Sequence, residues 1–203
     1  MEKVNAATRL LDSPWVYRLW QAPFAERKLA PLFEHNDVGA ARRVLDVGCG
    51  PGTNARHFES CDYVGVDINP RYIEFARARY GRDFRVADIT RYQAPAGERF
   101  DLILLNSFLH HLDDHATIRS LNQAGLLLSD DGQIHVFDLV LPDDPGVARF
   151  LARNDRGEHP RPLEAWRELF GECFEPTLFI PFALKNFGVT LWNMVYFRGR
   201  AKR

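Results

Sequence analysis

The sequence predicts an α/β fold with a mostly parallel sheet, and three observations carry that prediction. From about residue 43, short apolar runs alternate with amphipathic stretches, the pattern of strands joined by crossover helices. The first two runs, RVLDV and YVGVDI, are almost wholly apolar, as strands covered on both faces must be. Near the C-terminus EPTLFIPF and VTLWNMVYF are separated by only a short connection, so they form an antiparallel hairpin at the sheet edge.

Taken in order, residues 1 to 38 read as a helical extension with an aromatic stripe of Trp15, Trp20 and Phe24 and no strand pattern. RVLDV is the first strand, followed by a helix near Thr53 to Glu59. YVGVDI is the second, followed by a helix from Pro70 to Tyr80, where Asn69 can cap and Pro70 suits the first helical position. FRVADI and FDLILLN are the third and fourth strands. Asp113 and Asp114 precede ATIRSLNQAGLLL, where a carboxylate caps exposed amides and opposes the helix dipole. GQIHVFDLVL is the fifth strand, stopped by Pro142-Asp143-Asp144-Pro145; a helix from about Pro162 to Phe170 then leads to the hairpin, which turns around Lys185 to Gly188. With no internal repeat and no low-complexity linker, residues 1–203 form one domain. Its parts are an extension or lid (1–38), a ligand-binding core (43–141), and a segment with loop, helix and closing strand pair (142–203).

Composition narrows the function classes. A chain of 203 residues is long enough for one proper core. Its 26 basic and 27 acidic residues leave a charge of −1, so nothing calls for a nucleic-acid partner. Cys49, Cys61 and Cys173 lack CxxC spacing, which points to neither a zinc site nor a disulfide framework and makes a reducing cytoplasm the expected location. No run reaches the roughly 18 apolar residues of a membrane span, and the N-terminus lacks the pattern of a cleavable leader.

The chemistry begins in VLDVGCGPG, residues 44 to 52, a strand breaking into a glycine-rich turn at the mouth of a helix. Such turns let a ligand lie against the backbone. Dinucleotide loops follow GxGxxG, whereas Gly48, Gly50 and Gly52 follow GxGxG and Thr53 takes the third dinucleotide position. Asp46, two residues before Gly48, would repel a pyrophosphate and attract an ammonium or sulfonium group. That charge favours S-adenosylmethionine over NAD. Asp67, ending the second strand, can accept from both ribose hydroxyls; Asp88, ending the third, can meet the adenine amino group, with Ile68 and Ile89 as apolar contacts. Asn106 ends the fourth strand beside the methionine portion. The glycine turn has a plainer reading as a tight turn, and Asp67 before Asn69-Pro70 one as a helix cap, but four acidic or amide side chains at the ends of consecutive strands coincide where open α/β sheets bind ligands.

Together VLDVGCGPG, VGVDINP, VADI and FDLILLNSFLHHL resemble the successive motifs of class I S-adenosylmethionine-dependent methyltransferases of the small-molecule type, over about residues 43 to 141. The resemblance implies a Rossmann-like, seven-stranded sheet in the order 3-2-1-4-5-7-6. It also implies cofactor roles for Asp46, Gly48, Gly50, Asp67, Asp88 and Asn106, and an approach of Tyr17, in VYRLW, to the cofactor from above.

The cluster NSFLHHLDDH, residues 106 to 115, then divides. His111 and His115 have the i, i+4 spacing of metal ligands only if one helix holds both, and the caps place His111 before it. Some similar quinone-pathway enzymes carry E-x-x-E-H here to hold a divalent metal; this chain has Ser107, His110 and His111 in those places and lacks both glutamates. No metal is expected. His110 and His111 remain as candidates to line the acceptor site and act as a base, since an unperturbed imidazole titrates near neutral pH; a packing role stands beside that reading, more strongly for His111. Asp138 in the fifth strand faces either the same pocket or away. ARNDRGEHPRP, residues 152 to 162, with Arg153, Arg156 and His159, reads first as a solvated loop and second as a cover over the acceptor.

The expected activity is methyl transfer to a small organic acceptor, oxygen favoured over nitrogen. Two other classes stand beside it: a non-catalytic module retaining the cofactor fold, and a nicotinamide-dependent oxidoreductase, against which Asp46 and the glycine spacing argue. The basic tail Arg198, Arg200, Lys202, Arg203 reads as solvated, with contact to an acidic membrane surface as the sharper alternative.

Overall fold

The computed structural model describes residues 14–155 and 157–202, and of residues 14–23 and 25 the backbone alone. Helix α1 (Pro14–His35) precedes β1 (Arg43–Val47), β2 (Asp62–Asp67), α2 (Pro70–Tyr80), β3 (Asp83–Val86), β4 (Phe100–Asn106), α3 (Asp114–Leu127) and β5 (Leu128–Val140). The chain continues through α4 (Val147–Arg153), α5 (Leu163–Cys173), β6 (Phe174–Asn186) and β7 (Val189–Ala201). One sheet runs β3-β2-β1-β4-β5-β7-β6, parallel from β3 to β5, with β7 antiparallel to both β5 and β6. This is the expected class I methyltransferase order.

Strand alternation sorts the core into two layers. Leu45, Val47, Val64, Val66, Ile103 and Leu105 face one side, where α3 and α5 bring Leu121, Trp166 and Phe170. Val44, Tyr63, Leu102 and Leu104 face the other, against Leu29 and Leu32 of α1 and Ile73 and Ala76 of α2. A third group, Phe24, Leu139, Ala152, Leu184 and Met194, lies where α1, α4 and the β5–β7 strands meet. Trp166 is fully buried and its indole N–H donates to the Leu139 carbonyl at 2.8 Å, so its polar tip is satisfied.

The start of α2 matches its signals: the Asn69 side chain accepts from the Arg71 amide, Pro70 follows, and Gly81 closes the helix with φ +61. Asp113 caps α3, accepting from the Ala116 amide at 2.7 Å. Asp114 does not share that task; it is the first helical residue and pairs with Arg161 at 2.7 Å. Three elements differ from expectation. Thr53–Phe58 is a tight 3-10 stretch rather than an α-helix, β3 ends at Val86 rather than Ile89, and α4 is additional. The seven residues of α4 offered too short a periodic pattern to stand out, and Ala152 seats them on the third core group. The hairpin turns on Phe187 and Gly188, both at positive φ, as a two-residue turn of the mirror-image type requires. No helix among the described residues is long and apolar enough to cross a membrane.

Candidate functional site

The parallel strands end on one side, and short turns follow them. After β1 the amides of Gly48 and Cys49 both donate to the Val66 carbonyl, at 2.8 and 3.0 Å, folding the glycine turn back onto β2. Gly48 has φ +66, and a Cβ there would stand 2.7 Å from the Phe108 ring, so only glycine fits. The Gly50 amide donates to Asp67 Oδ2 at 2.9 Å and the Asn69 amide to Oδ1 at 2.8 Å. Asp67 therefore ends β2 and also fixes the turn after β1. Asp88, two residues beyond β3, accepts from the Thr90 amide and hydroxyl at 2.9 and 2.8 Å.

A crevice of about 690 Å³ runs past Gly48, Gly50, Asn54 and Asn106 to Ser107 and Lys28. That volume lies within the range of small-molecule sites. The glycine turn borders this crevice with no side chain between backbone and opening, whereas Asp67, Ile68 and Asp88 lie at or just past the ends of the neighbouring strands β2 and β3 and are not among the residues that line it. Ile68 is 71% exposed and open to an adenine ring, whereas Ile89 is 4% exposed and belongs to the core beneath, so the expected second apolar contact is absent from the surface. Tyr17 lies on α1, as do Trp15 and Trp20, but their side chains are outside the described residues.

Asp46 is placed differently from expectation. It is fully buried and does not line the crevice; it accepts from the Tyr63 hydroxyl at 2.6 Å and from the Asn54 amide at 3.1 Å. Burial pushes its carboxyl up to about 7, against the pull of those two hydrogen bonds. Asn54 in turn accepts from the Asn106 amide at 3.3 Å. Two oriented amides, those of Asn54 and Asn106, thus stand between the Asp46 carboxyl and the crevice. Asn54 gave no sequence signal beyond following the glycine turn.

A second, smaller cavity of about 40 Å³ adjoins the first, sharing Lys28 and Ser107 with it. Phe24, Leu139, Leu184, Trp192 and Met194 form its apolar walls, and His110 and Asp155 complete its polar end. Lys28, on α1 and 8% exposed, donates to the Ser107 hydroxyl at 2.8 Å. Burial lowers its ammonium to about 8, with Asp138 and Asp155 resisting. Ser107 has φ +55, a conformation that costs a non-glycine residue about 1–3 kcal/mol. Its amide bond to the Phe137 carbonyl at 2.8 Å helps hold it there. Neither Lys28 nor Asp155 was visible as a site residue in the sequence, because helix α1 and the loop after α4 meet the strand ends only in three dimensions.

His110 is buried in the 3-10 turn Leu109–His111. Its Nδ1 lies 2.6 Å from Asp138 Oδ1, and its Nε2, which faces the small cavity, lies 3.1 Å from Asp155 Oδ2. Asp138 thus turns inward; its other oxygen accepts from the Leu109 amide at 2.8 Å. Burial works against a charged ring, but Asp138 and then Asp155 outweigh it and raise His110 to about 9. A ring that already holds its proton donates rather than accepts, so near neutral pH this conformation does not offer the expected base. His111 is exposed, its ring 4.2 Å from that of His110.

The segment 152–162 is not a solvated loop. The His159 amide donates to the His110 carbonyl at 3.0 Å. Buried Arg161 donates to the carbonyls of Leu109 and Leu112 and stacks 4.8 Å from the Trp166 ring, tying the segment to the histidine turn. Arg156 lies outside the described residues. One donor atom from each of His110, His111 and Asp155 lies within 4.8 Å of the others, a spacing that the sequence did not suggest and that a divalent ion could use. The Lys28 ammonium in the same cavity opposes a dication there.

Residues 44–132 match a family described as a methyltransferase domain. A trans-aconitate 2-methyltransferase of Methylobacterium radiotolerans is 36% identical over 97 residues, which cover 45% of this chain and 36% of the relative. An uncharacterized methyltransferase of Bacillus subtilis, YcgJ, is 26% identical over 161 residues, 72% of this chain and 62% of the relative. The chain therefore spans about a third and just under two thirds of these two relatives. Among solved structures, the N-methyltransferase NodS of Bradyrhizobium japonicum, in complex with S-adenosyl-L-homocysteine, superposes with a TM-score of 0.65 at 18% identity, covering 98% of this chain and 94% of that one. At that identity the likeness is one of fold.

Proposed function

We propose that this chain, a class I S-adenosylmethionine-dependent methyltransferase by its fold and by the domain matched over residues 44–132, methylates an oxygen of a small organic acceptor held in the cavity beside Ser107. The observation that carries the reading is the junction of the two cavities. Lys28 and Ser107 belong to both, and the imidazole of His110, oriented by Asp138, points into the smaller one.

When bound, S-adenosylmethionine supplies a methyl group already activated on a sulfonium. The residues of this chain need only hold, align and dry the partners, which can supply a large part of the rate. Gly48 and Gly50 present bare backbone to the crevice. Asp67 and Asp88 offer carboxylates to the adenosine portion, and Asn106 and Asn54 carry the influence of Asp46. The apolar walls of the small cavity exclude water from the acceptor, and Lys28, Ser107 and His110 supply donors to its oxygen. The ammonium of Lys28 and the protonated ring of His110 carry N–H donors and no lone pair, which suits an oxygen acceptor.

The test is an acceptor screen with phenols, carboxylic acids and amines, followed by S-adenosylhomocysteine release and by the mass and alkaline lability of the product. Turnover of oxygen acceptors is expected; N-methylated products alone would reject this assignment. A cytoplasmic location accords with the free thiols of Cys49, Cys61 and Cys173.

A further inference from the structure

Among the described residues only two that are not glycine hold a positive φ, Phe187 at +46 and Ser107 at +55. Phe187 is 98% exposed on the hairpin turn, where the backbone alone matters. Ser107 is different. The chain must turn there, between β4 and the 3-10 turn that carries His110, and the Ser107 amide donates to the Phe137 carbonyl at 2.8 Å to keep the turn in place. Glycine makes such turns without strain, and this chain uses it at Gly48, Gly50, Gly52 and Gly81. A strained residue that persists beside a ligand site points to a use for its side chain.

The side chain of Ser107 lies where the two cavities meet and joins a group of one to a group of the other. Its Oγ accepts from the Lys28 ammonium at 2.8 Å and donates to Asn106 Oδ1 at 3.4 Å. Asn106 is fixed from its other end, donating to Asn54 at 3.3 Å, and Asn54 donates to buried Asp46 at 3.1 Å. The hydroxyl therefore stands between a braced amide and a lysine on a flexible stem. Asp138 and Asp155 attract that ammonium from the cavity side, but a charge pulls without fixing direction. A hydroxyl lone pair at hydrogen-bond distance fixes a place. The longer bond to Asn106 leaves the hydroxyl proton able to turn to an incoming oxygen while the lone pair goes on accepting from Lys28.

We infer that Ser107 is a positioning residue for methyl transfer: its hydroxyl, carried into place by a left-handed backbone, holds the Lys28 ammonium at the junction of the cavities, where it meets the acceptor oxygen next to the methyl group. The inference rests on the methyltransferase reading above. To the donor that Ser107 itself offers it adds a second task, exercised through Lys28. A donor misplaced by about 1 Å can cost on the order of a hundredfold in rate, so the residue that sets the place of the ammonium governs turnover.

The test compares Ser107→Gly with Ser107→Ala. Neither has a hydroxyl, but glycine accepts φ +55 and alanine does not, so Ser107→Gly is expected to melt at the higher temperature. A residue needed only for its turn gives a glycine variant as active as the wild type. A positioning hydroxyl gives two variants of unequal stability and equal loss: with an oxygen acceptor from the screen above, kcat should fall about tenfold or more in both while KM changes by less than about threefold. In a Lys28→Met background the further change Ser107→Ala should cost about threefold or less. A second measurement decides whether or not the screen yields an acceptor. In 15N-lysine NMR of the full chain saturated with S-adenosylhomocysteine, at about pH 6 where Lys28 is protonated, its signal is assigned by its loss in Lys28→Met. The Lys28 ammonium protons should exchange with solvent about tenfold or more faster in both serine variants than in the wild type. Ser107→Gly with wild-type turnover, losses that track melting temperature, or a Lys28 signal unchanged by either substitution would overturn the inference. Failure to bind S-adenosylhomocysteine at all would instead overturn the methyltransferase reading.

Discussion

Replacing Asp46 with asparagine is expected to make the protein more stable and worse at binding its cofactor. The carboxyl is buried and raised from 3.8 to about 7. At about 1.4 kcal/mol for each tenfold change in proton affinity, ionising it above pH 7 destabilises the fold by at most about 4 kcal/mol. Asparagine keeps an oxygen for the Tyr63 hydroxyl but confronts the Asn54 amide with an amide, and loss of that contact takes back about 1–2 kcal/mol. The net gain at pH 8 is about 2 kcal/mol, or about 4–8 °C in melting temperature for a domain of this size. The sign follows from linkage. The folded carboxyl holds its proton more tightly than the unfolded one, so between about pH 4 and pH 7 the folded state binds more protons, and wild-type stability falls as pH rises. The advantage of Asp46→Asn should therefore be full at pH 8 and shrink steadily towards pH 4. Urea unfolding at pH 5, 6.5 and 8 measures it, with calorimetric titration of S-adenosylhomocysteine on the same samples. A stability difference that does not change with pH would refute the argument, as would an unchanged cofactor affinity for the part assigned to Asn54 and Asn106.

Other outcomes follow from the same geometry. Gly48→Ala forces a side chain at φ +66 to within 2.7 Å of Phe108, and should abolish S-adenosylhomocysteine binding while lowering the melting temperature. Arg161→Met strips the Leu109 and Leu112 carbonyls of their donor and should cost about 2–4 kcal/mol in urea unfolding, with faster amide exchange in the histidine turn. Turnover of a carboxylate acceptor should fall as pH rises through 8 to 9, where Lys28 and then His110, facing Asp138, Asp155 and His111, lose their protons; a rate that climbs through that window would restore a base role to His110. Dialysis against EDTA should leave methyl transfer intact, and a loss reversed by added zinc would instead place an ion at His110, His111 and Asp155.

The parallel half of the fold was legible because its strands carry their burial in their composition. RVLDV and FDLILLN need cover on both faces, and the glycine turn and Asn69-Pro70 fix where the chain reverses. Side chains held by neighbours in sequence, such as the Asp113 cap and the Gly48 turn, were equally readable. What the sequence could not show depends on distant segments meeting. Asp46 points at Tyr63, a partner set by strand register, and so lies behind the crevice instead of lining it. Lys28 is one cation on a helix until α1 crosses the end of β4. Asp155 sits in a polar stretch that looks solvated, and only Arg161 buried against Trp166 shows that the stretch is fastened down.

The shared wall of the two cavities has a thermodynamic consequence. Because Lys28 and Ser107 border both, an occupant that draws the ammonium towards one side alters the field and the free volume on the other. The two ligands are then not independent, and linkage makes the effect reciprocal: whatever factor the first confers on the affinity of the second, the second returns to the first. The Lys28 to Ser107 hydrogen bond lies on that shared wall, and the coupling it carries is the same whichever ligand binds first.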